Sequence, residues 1–298
     1  YVCWGVDAKD RVKVCGIPAF DGKNIIDVSS ELKWRGNYEK AGEMLERVDA
    51  GIRLPENKVS QEGEITLSRG ELEEIGLALL PVTALGILNG GSATSYADYT
   101  KNSSFNPALF NRNRELFDSI SEKISDMPKG ITPAYINRDY SDGYSFSELK
   151  MRSILLKAEK YIKKYGRRDF SHLMFQMTSC SNNSVITERV AKYAEKSFIG
   201  RLMDKTGVDI TSPLTGIQPM VAALTHSAFG KKREVFTEAY GEKGRLLPLP
   251  GGHGQNFQVL KDVYMQLYKE GKRFVYLGNV DNIGFNIDLA EVAILALS

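Results

Sequence analysis

Three short apolar runs in the chain predict strands of a buried sheet. They lie at residues 82–88, 172–178 and 274–278, and each is closed by glycine or polar residues. An apolar run without alternation is typical of a parallel strand, because helices cover both faces of a parallel sheet. We therefore expect these runs to belong to one parallel sheet.

Two capping boxes predict where long helices begin. In each box a serine accepts a hydrogen bond from a free backbone N–H of the first turn, and a glutamate three residues later reaches back to the serine. The pairs are Ser68 with Glu71 and Ser145 with Glu148. The apolar positions after Ser145 fall on one helical face, and Gly166 is typical of a helix end. Further helices are expected near 113–125, through 196, and from 254 to 271.

This alternation of strands and helices predicts an α/β fold with a doubly wound, mostly parallel, Rossmann-like sheet. In such a sheet, ligands bind beyond the carboxyl ends of the strands. Glycine and polar residues follow the predicted strands there, at 90–91, 178–179 and 279–282. The pattern therefore predicts a ligand site along this edge of the sheet.

The composition is that of an ordinary globular protein, and it narrows the range of partners. The 298 residues carry 39 Lys and Arg against 37 Asp and Glu, for a formal net charge of +2. This balance offers no clustered basic face for nucleic acid, and no apolar run approaches the roughly 20 residues of a membrane span. The three cysteines, Cys3, Cys15 and Cys180, have no metal-binding spacing and indicate a reduced, cytoplasmic setting. We expect neither a nucleic acid nor a membrane partner, and no oligomeric state is predicted.

Two glycine-rich segments are candidates for contact with a nucleotide. At 89–91 the bare backbone allows N–H groups to cradle a phosphate, and a plain tight turn is the alternative. At 251–254 three glycines surround His253 after two prolines, which leaves a backbone edge that can pack on a base and bond its polar rim. A rigid loop leading into a helix is the alternative there. Neither segment is a Walker A loop or a dinucleotide-binding glycine motif.

A carboxylate and a lysine are candidates for the charged groups of the site. Asp281 follows an apolar strand, and one carboxylate together with substrate phosphates suffices for Mg²⁺. A capping or turn role is the alternative for such an aspartate. Lys129, between Pro128 and Gly130, is either a mobile positive charge on a loop of the site or an ordinary surface lysine.

Five short motifs follow one another along the chain: Leu88-Asn89-Gly90-Gly91, Met127-Pro128-Lys129-Gly130, Gln176-Met177-Thr178-Ser179, Pro250-Gly251-Gly252-His253-Gly254 and Asn279-Val280-Asp281-Asn282. In this order they resemble the successive motifs of the UDP-sugar pyrophosphorylases. The resemblance covers residues 80–282. It implies a fold of the nucleotidyltransferase type, with a nucleotide-binding catalytic core over 81–298 after an N-terminal mixed α/β segment over 1–80.

The resemblance also implies a role for each matched position. Lys129 would offset charge on the reacting phosphates, Asp281 would be a magnesium ligand, and Gln218 would stand in a strand beside the base. Gly252 and His253 would form the edge that recognises uracil. The implied nucleotide-binding residues are Leu88, Asn89, Gly90, Gly91, Thr178, Gln218, Gly252 and His253.

The implied reaction is nucleotidyl transfer, in which an oxygen of a sugar 1-phosphate attacks the α-phosphorus of UTP and pyrophosphate leaves. UDP-glucose is the expected product, and Mg²⁺ is the expected cofactor. A UDP-N-acetylhexosamine enzyme, a broad-specificity UDP-sugar enzyme and a non-catalytic nucleotide-binding module are the alternatives. Such chemistry needs positioning and cationic charge and no covalent nucleophile.

The chain departs from the family pattern at three positions near the expected site. Ala93 stands where the family has glycine, and its methyl group is expected to disfavour a backbone with positive φ. Gln255 stands where an aspartate is usual and removes a negative charge. Lys101 rivals Lys129 for the phosphate-contacting role, although it lacks the Pro-Lys-Gly context.

Two further departures concern the length of the chain. Residues 92–126 are expected to form an inserted loop. The family's second lysine, its second carboxylate and its C-terminal β-helix would lie beyond Ser298. The resemblance therefore implies a core that is incomplete at its C-terminus, and we do not expect this part of the enzyme to turn over by itself.

Overall fold

The computed structural model describes residues 33–225 and 232–298. The sequence predictions for Cys3, Cys15 and the first part of segment 1–80 fall outside these ranges. The strands are β1 (Lys33–Asn37), β2 (Glu64–Ser68), β3 (Thr83–Leu88), β4 (Met174–Ser179), β5 (Leu214–Gln218), β6 (Met220–Ala222), β7 (Pro248–Pro250) and β8 (Phe274–Asn279). The helices are α1 (Tyr38–Val48), α2 (Arg69–Ala78), α3 (Thr94–Ala97), α4 (Tyr99–Phe105), α5 (Pro107–Arg112), α6 (Arg114–Ile124), α7 (Phe146–Tyr165), α8 (Asn183–Ala191), α9 (Ser197–Thr206), α10 (Asn256–Val259), α11 (Lys261–Lys269) and α12 (Leu289–Leu297). No helix in the described ranges is both long and apolar enough to cross a membrane.

A four-stranded parallel sheet in the order β5-β4-β3-β8 forms the centre of the fold. Its inner strands, β3 and β4, are buried along nearly their whole length, as their apolar sequences predict. The predicted strands at 82–88, 172–178 and 274–278 correspond to β3, β4 and β8. The prediction of a doubly wound α/β fold is therefore confirmed.

The strand order places a crevice between β3 and β8. The chain runs from β3 outward through β4 to β5, and it then returns to the other side of β3 as β8. At such a reversal the connections leave neighbouring strands in opposite directions, and a ligand-binding crevice opens beyond their carboxyl ends. Leu88 at the end of β3 pairs with Asn279 at the end of β8, so these residues mark the position of the crevice.

Both predicted capping boxes begin helices. At α2 the Glu71 carboxylate accepts a hydrogen bond from the Ser68 N–H at 2.9 Å. At α7 the Glu148 carboxylate accepts from the Ser145 N–H at 2.8 Å, and Ser145 Oγ accepts from the Glu148 N–H at 3.2 Å. Helix α7 ends at Gly166, whose φ of 68° lies in the left-handed region that glycine favours. Local sequence signals were sufficient to predict these boundaries.

Residues 92–126 contain four short helices, α3 to α6, where the sequence predicted an inserted loop with one helix near 113–125. That helix is confirmed as α6. The polar residues that suggested a loop include helix caps, since Asp98 and Asn106 each accept from a backbone N–H three residues later, at 3.0 Å. Aspartate and asparagine are common in loops and at helix starts for the same reason: both settings leave backbone N–H groups to be bonded. We call residues 92–126 the helical insert.

Strands β1 and β2 pair antiparallel across a connection that contains α1, and α1 and α2 pack against the C-terminal helix α12. Leu45 of α1, Leu72 of α2 and Val292 of α12 belong to one hydrophobic cluster, which also contains Ile87 of β3. Residues 33–80 therefore share a core with the parallel sheet. The predicted division of the chain near residue 80 stays a prediction.

We predict that Gly76→Ala destabilises the fold by about 1–3 kcal/mol, the usual cost of overpacking a core. Gly76 lies in α2 against α12, and an added Cβ would overlap the backbone of Leu289. Urea unfolding measures the change. Gly70→Ala in the same helix is the control, because a Cβ there meets nothing within 4 Å and alanine favours a helix. Equal stability of the two variants would contradict the prediction.

Candidate active site

The residues singled out from the sequence gather along the carboxyl edge of the parallel sheet. Residues 89–91 follow β3, Thr178 lies near the end of β4, Gln218 ends β5, and Asp281 follows β8. Lys129 reaches the same edge from a single 3₁₀ turn after the helical insert. Because all four strands run in one direction, their carboxyl ends collect these groups on one side of the sheet.

The glycine turn after β3 is held in place by side chains of the neighbouring strand and loop. Asn89 is fully buried, and its side-chain amide donates a hydrogen bond to Gln176 Oε1 at 3.2 Å. The Asn182 amide donates to the carbonyl of Gly90 at 3.0 Å. These bonds hold the turn against β4 and the loop that follows it, whereas Asn89 Oδ1 is buried without a hydrogen-bond partner among the described residues.

The segment carrying Lys129 packs directly on this turn. The Lys129 N–H donates to the carbonyl of Gly91 at 3.0 Å. An added Cβ at Gly130 would overlap the Asn89 side chain, so only glycine allows this approach. The Pro-Lys-Gly motif therefore fixes the position of the Lys129 backbone relative to the glycine turn.

The side chains of Lys129, Asp281 and Tyr96 meet in the crevice. Lys129 Nζ lies 3.2 Å from Asp281 Oδ2, and the Tyr96 hydroxyl donates to the same oxygen at 2.8 Å. Lys129 Nζ also lies 5.7 Å from the centroid of the Tyr96 ring. The side chains of Lys129 and Asp281 are each 23% exposed, which leaves both charges accessible to a ligand.

The surroundings of Asp281 keep it ionised. Burial acts to raise the pKa of its carboxyl group, but hydrogen bonds from Tyr96 and Lys129 outweigh burial and hold the pKa below its usual value. The pKa of Tyr96 is raised well above its usual value by burial and by the bond to Asp281. At neutral pH the site therefore contains an anionic aspartate, and Tyr96 remains a neutral hydrogen-bond donor.

Tyr96 is the site residue that the sequence did not reveal. It lies in the helical insert, where no motif marks it, and its partner Asp281 is 185 positions further along the chain. The rival Lys101 is exposed on α4, whereas Lys129 contacts Asp281. The only local signal for Tyr96 is its nearness to the glycine turn, which by itself does not predict a contact across the crevice.

The second glycine segment joins the same edge through Gln218. This glutamine is buried, and its amide donates to the Gly252 carbonyl at 2.7 Å and to Gln255 Oε1 at 2.9 Å. A Cβ added at Gly90 would lie 3.2 Å from Gln218 Oε1, so the glutamine spans the gap between the two glycine segments. Gly252 has a φ of 89°, which strains any other residue, and His253 is exposed.

Leu88 and Thr178 lie within the sheet next to this edge. Thr178 is fully buried, and its hydroxyl donates to Asn183 Oδ1 at 2.7 Å. Leu88 packs against the apolar cluster that contains Phe175. Both side chains contact other parts of the protein interior, so they stabilise the strand ends on which the candidate site lies.

The substitution of alanine for glycine at Ala93 causes no backbone conflict. Ala93 has φ −81° and ψ 9°, which alanine adopts freely, and its N–H donates to the Met127 carbonyl at 3.0 Å. The expected clash of its methyl group with a positive φ therefore does not arise. Gln255 likewise fits its place as a neutral acceptor for Gln218.

A divalent cation fits this site only in company with a ligand that brings further oxygens. Within the described ranges no group of three His, Cys, Asp or Glu side chains could hold a metal ion. Asp281 supplies one ionised carboxylate. Mg²⁺ keeps several waters and is commonly held by one or two carboxylates plus substrate phosphates, so one aspartate at a phosphate site suits it.

Comparison with models of protein families and with curated proteins finds no match. Solved structures do match. The UDP-N-acetylglucosamine pyrophosphorylase of Trypanosoma brucei, solved in complex with an inhibitor, matches with a TM-score of 0.50 and 20% identity over 76% of this chain and 37% of that chain. A protein of Entamoeba histolytica assigned to the same activity has a TM-score of 0.47 and 17% identity over 76% of this chain and 46% of that chain.

The first of these matches agrees with the observed sheet in the class of fold. The chain has a Rossmann-like α/β fold of the nucleotidyltransferase type. It spans 37% and 46% of the lengths of the two matched structures, less than half in each case.

We predict that Tyr96→Phe raises the pKa of Asp281, because the variant removes a hydrogen bond that favours the carboxylate. Carbon-13 NMR titration of the aspartate carboxyl groups, assigned with Asp281→Asn, measures this change. Tyr99→Phe is the control, since Tyr99 lies in the same insert and packs against Phe110 and Phe117. An unchanged pKa in a folded Tyr96→Phe protein would argue against the contact.

Proposed function

We propose that this chain carries the nucleotide site of a uridylyltransferase, which forms a UDP-sugar and pyrophosphate from UTP and a sugar 1-phosphate. One observation carries the proposal: the contacts at the carboxyl edge are continuous. They run from Gly252 through Gln218 to the glycine turn, and from that turn through Lys129 to Asp281. This order matches a nucleotide laid along the edge, with its base at one end and its phosphates at the other.

The base end has the groups that a pyrimidine needs. Uracil presents one N–H between two carbonyl groups, and a side-chain amide together with backbone groups can bond such an edge. Gln218 is buried and held by Gly252 and Gln255, so its amide is oriented before a ligand arrives. Open space lies where a side chain would stand at Gly252, which leaves room for a base there, whereas the Gln255 side chain packs on Gly251.

The phosphate end has the charges that nucleotidyl transfer needs. A sugar 1-phosphate oxygen forms a bond to the α-phosphorus of UTP, and the bond from that phosphorus to the bridging oxygen breaks as pyrophosphate leaves. Lys129 would neutralise charge on these phosphates, and the glycine turn lets the backbone approach them. Asp281 would hold Mg²⁺ together with the phosphates, and the ion would supply further positive charge at the leaving group.

An N-acetylhexosamine 1-phosphate is the sugar substrate that we propose. The sequence resemblance suggested UDP-glucose. The fold match instead favours the N-acetylhexosamine alternative, because the matched structure is that of a UDP-N-acetylglucosamine pyrophosphorylase. The backbone at Ala93 gives no support to the non-catalytic module, whereas Gln255 still lacks the negative charge of the usual aspartate, so that alternative is decided by the assay below.

We predict that Lys129→Ala lowers pyrophosphate release by about two orders of magnitude or more, as expected when a charge that acts on the transition state is removed. The assay contains the full-length protein, UTP, Mg²⁺ and N-acetylglucosamine 1-phosphate. Lys101→Ala is the matched control, because this exposed lysine of the helical insert should leave the rate unchanged. If only Lys101→Ala lowers the rate of pyrophosphate release, Lys101 is the phosphate-contacting lysine. UTP binding by the parent protein without turnover of any sugar phosphate would favour the non-catalytic module.

We predict that N-acetylglucosamine 1-phosphate gives a higher kcat/KM than glucose 1-phosphate. The same assay with N-acetylglucosamine, N-acetylgalactosamine and glucose 1-phosphates, at fixed UTP and Mg²⁺, ranks the substrates. A higher value for glucose 1-phosphate would restore UDP-glucose as the product. Similar values for all three would indicate a broad-specificity enzyme.

A further inference from the structure

A buried lysine lies beneath the turn that carries Asp281. Lys150 belongs to α7 and is only 1% exposed. Its ammonium donates hydrogen bonds to the backbone carbonyls of Asn282 and Phe285, and it lies 5.7 Å from the centroid of the Phe285 ring. Lys150 therefore bonds the residues that immediately follow the candidate metal ligand.

The hydrogen bonds and the nearby charge around Lys150 act against the free-energy cost of burying its ammonium group. Moving an ammonium group out of water is unfavourable unless hydrogen bonds or opposite charge replace its hydration. Burial lowers the pKa of Lys150 to about 8, and the nearby negative charge of Asp281 acts against this shift. The turn supplies two carbonyl oxygens as hydrogen-bond acceptors. Lys150 is the hydrogen-bond donor to the inward-facing carbonyl groups of Asn282 and Phe285. These two hydrogen bonds connect the turn to α7.

The turn also has contacts of its own, since the Asn286 amide donates to the Ile283 carbonyl at 2.9 Å and the Phe285 ring packs near Tyr276. Within it, the Asn282 N–H donates to the Asn279 carbonyl at 3.2 Å, and the Phe285 N–H donates to the Asn282 carbonyl at 3.0 Å. Asn282, Ile283 and Gly284 are exposed, so Lys150 anchors from the inside a segment that is open to water on the outside.

A second buried lysine provides a natural comparison. Lys272 is 2% exposed, and its ammonium donates to the carbonyls of Pro81 at 2.7 Å and Thr83 at 3.2 Å. It lies at the opposite, amino end of β3 and β8, a strand length of about 20 Å from the crevice. Both lysines bond two backbone carbonyls, but only Lys150 does so beside the candidate site.

We propose that Lys150 is a positioning residue, whose ammonium fixes the turn at 281–285 so that the Asp281 carboxylate faces Lys129 and can bind a divalent cation together with UTP. The proposal rests on the function proposed above. Lys150 itself touches no substrate in it. Residues that orient a metal ligand from behind typically change metal affinity by about 10–100-fold when they are removed.

Mn²⁺ binding tests this role without relying on catalysis. We expect Lys150→Met to weaken Mn²⁺ binding in the presence of UTP by about tenfold or more, measured by electron paramagnetic resonance of free Mn²⁺. UTP binding in the presence of EDTA, measured by calorimetry, should stay close to that of the parent, because the base end is remote from this turn. Methionine keeps the length of the side chain and removes its donors.

Lys272→Met is the matched control. It also removes two hydrogen bonds from a buried lysine and should lower the stability of the fold, yet it should leave Mn²⁺ affinity in the presence of UTP unchanged. An equal loss of Mn²⁺ affinity in both variants, or no loss in Lys150→Met, would overturn the positioning role. If Lys150→Met does not fold, Lys150→Gln takes its place, since it keeps a donor of shorter reach and the same outcomes apply.

Asp281→Asn separates this proposal from the one on which it rests. If Asp281→Asn abolishes Mn²⁺ binding and Lys150→Met does not weaken it, the metal ligand stands and the positioning role fails. If Asp281→Asn leaves Mn²⁺ binding intact, the proposed function loses its metal ligand, and the positioning of that ligand fails with it.

Discussion

The contact of Asp281 with Lys129 and Tyr96 is the interaction on which the rest of the carboxyl edge depends. It joins three parts of the chain: the turn after β8, the Pro-Lys-Gly segment and the helical insert. The last two also meet through backbone contacts at Ala93 and Met127, and the shared carboxylate oxygen adds the turn after β8 to them. Two donors on one oxygen also explain why the aspartate stays ionised despite its partial burial.

Close backbone approach is the second constraint, and it explains which glycines the edge requires. Gly130 must lack a Cβ because the Asn89 side chain occupies that space, and Gly90 stands next to the Gln218 amide. Gly252 needs its left-handed φ to turn the chain after β7. These are three different physical requirements, and together they bring the two glycine segments into contact through one buried glutamine.

Local patterns predicted the framework of the fold and failed where contacts cross the chain. The three apolar runs and the two capping boxes predicted strands and helix starts, because burial and capping act over a few residues. Helices α3 to α5 of the helical insert were missed because Asp98 and Asn106 cap helices with the same side chains that favour loops. Tyr96 and Lys150 were missed because their partners, Asp281 and the turn after it, lie more than a hundred residues away. No local periodicity encodes such a contact.

The pairing of Lys129 with Asp281 also bears on how the proposed substrate would enter. A phosphate alone would meet a lysine whose charge is already balanced by a carboxylate, and a divalent cation alone would have to displace the lysine from Asp281. A complex of UTP with Mg²⁺ carries both signs of charge. Its phosphates can therefore bind Lys129 while its cation binds Asp281. Each buried or half-buried charge then exchanges one partner for another and is never left unpaired, which is the costly state in a partly desolvated crevice. The ligand-free pair would therefore favour the metal–nucleotide complex over either component alone, provided that the turn behind Asp281 stays in place during the exchange.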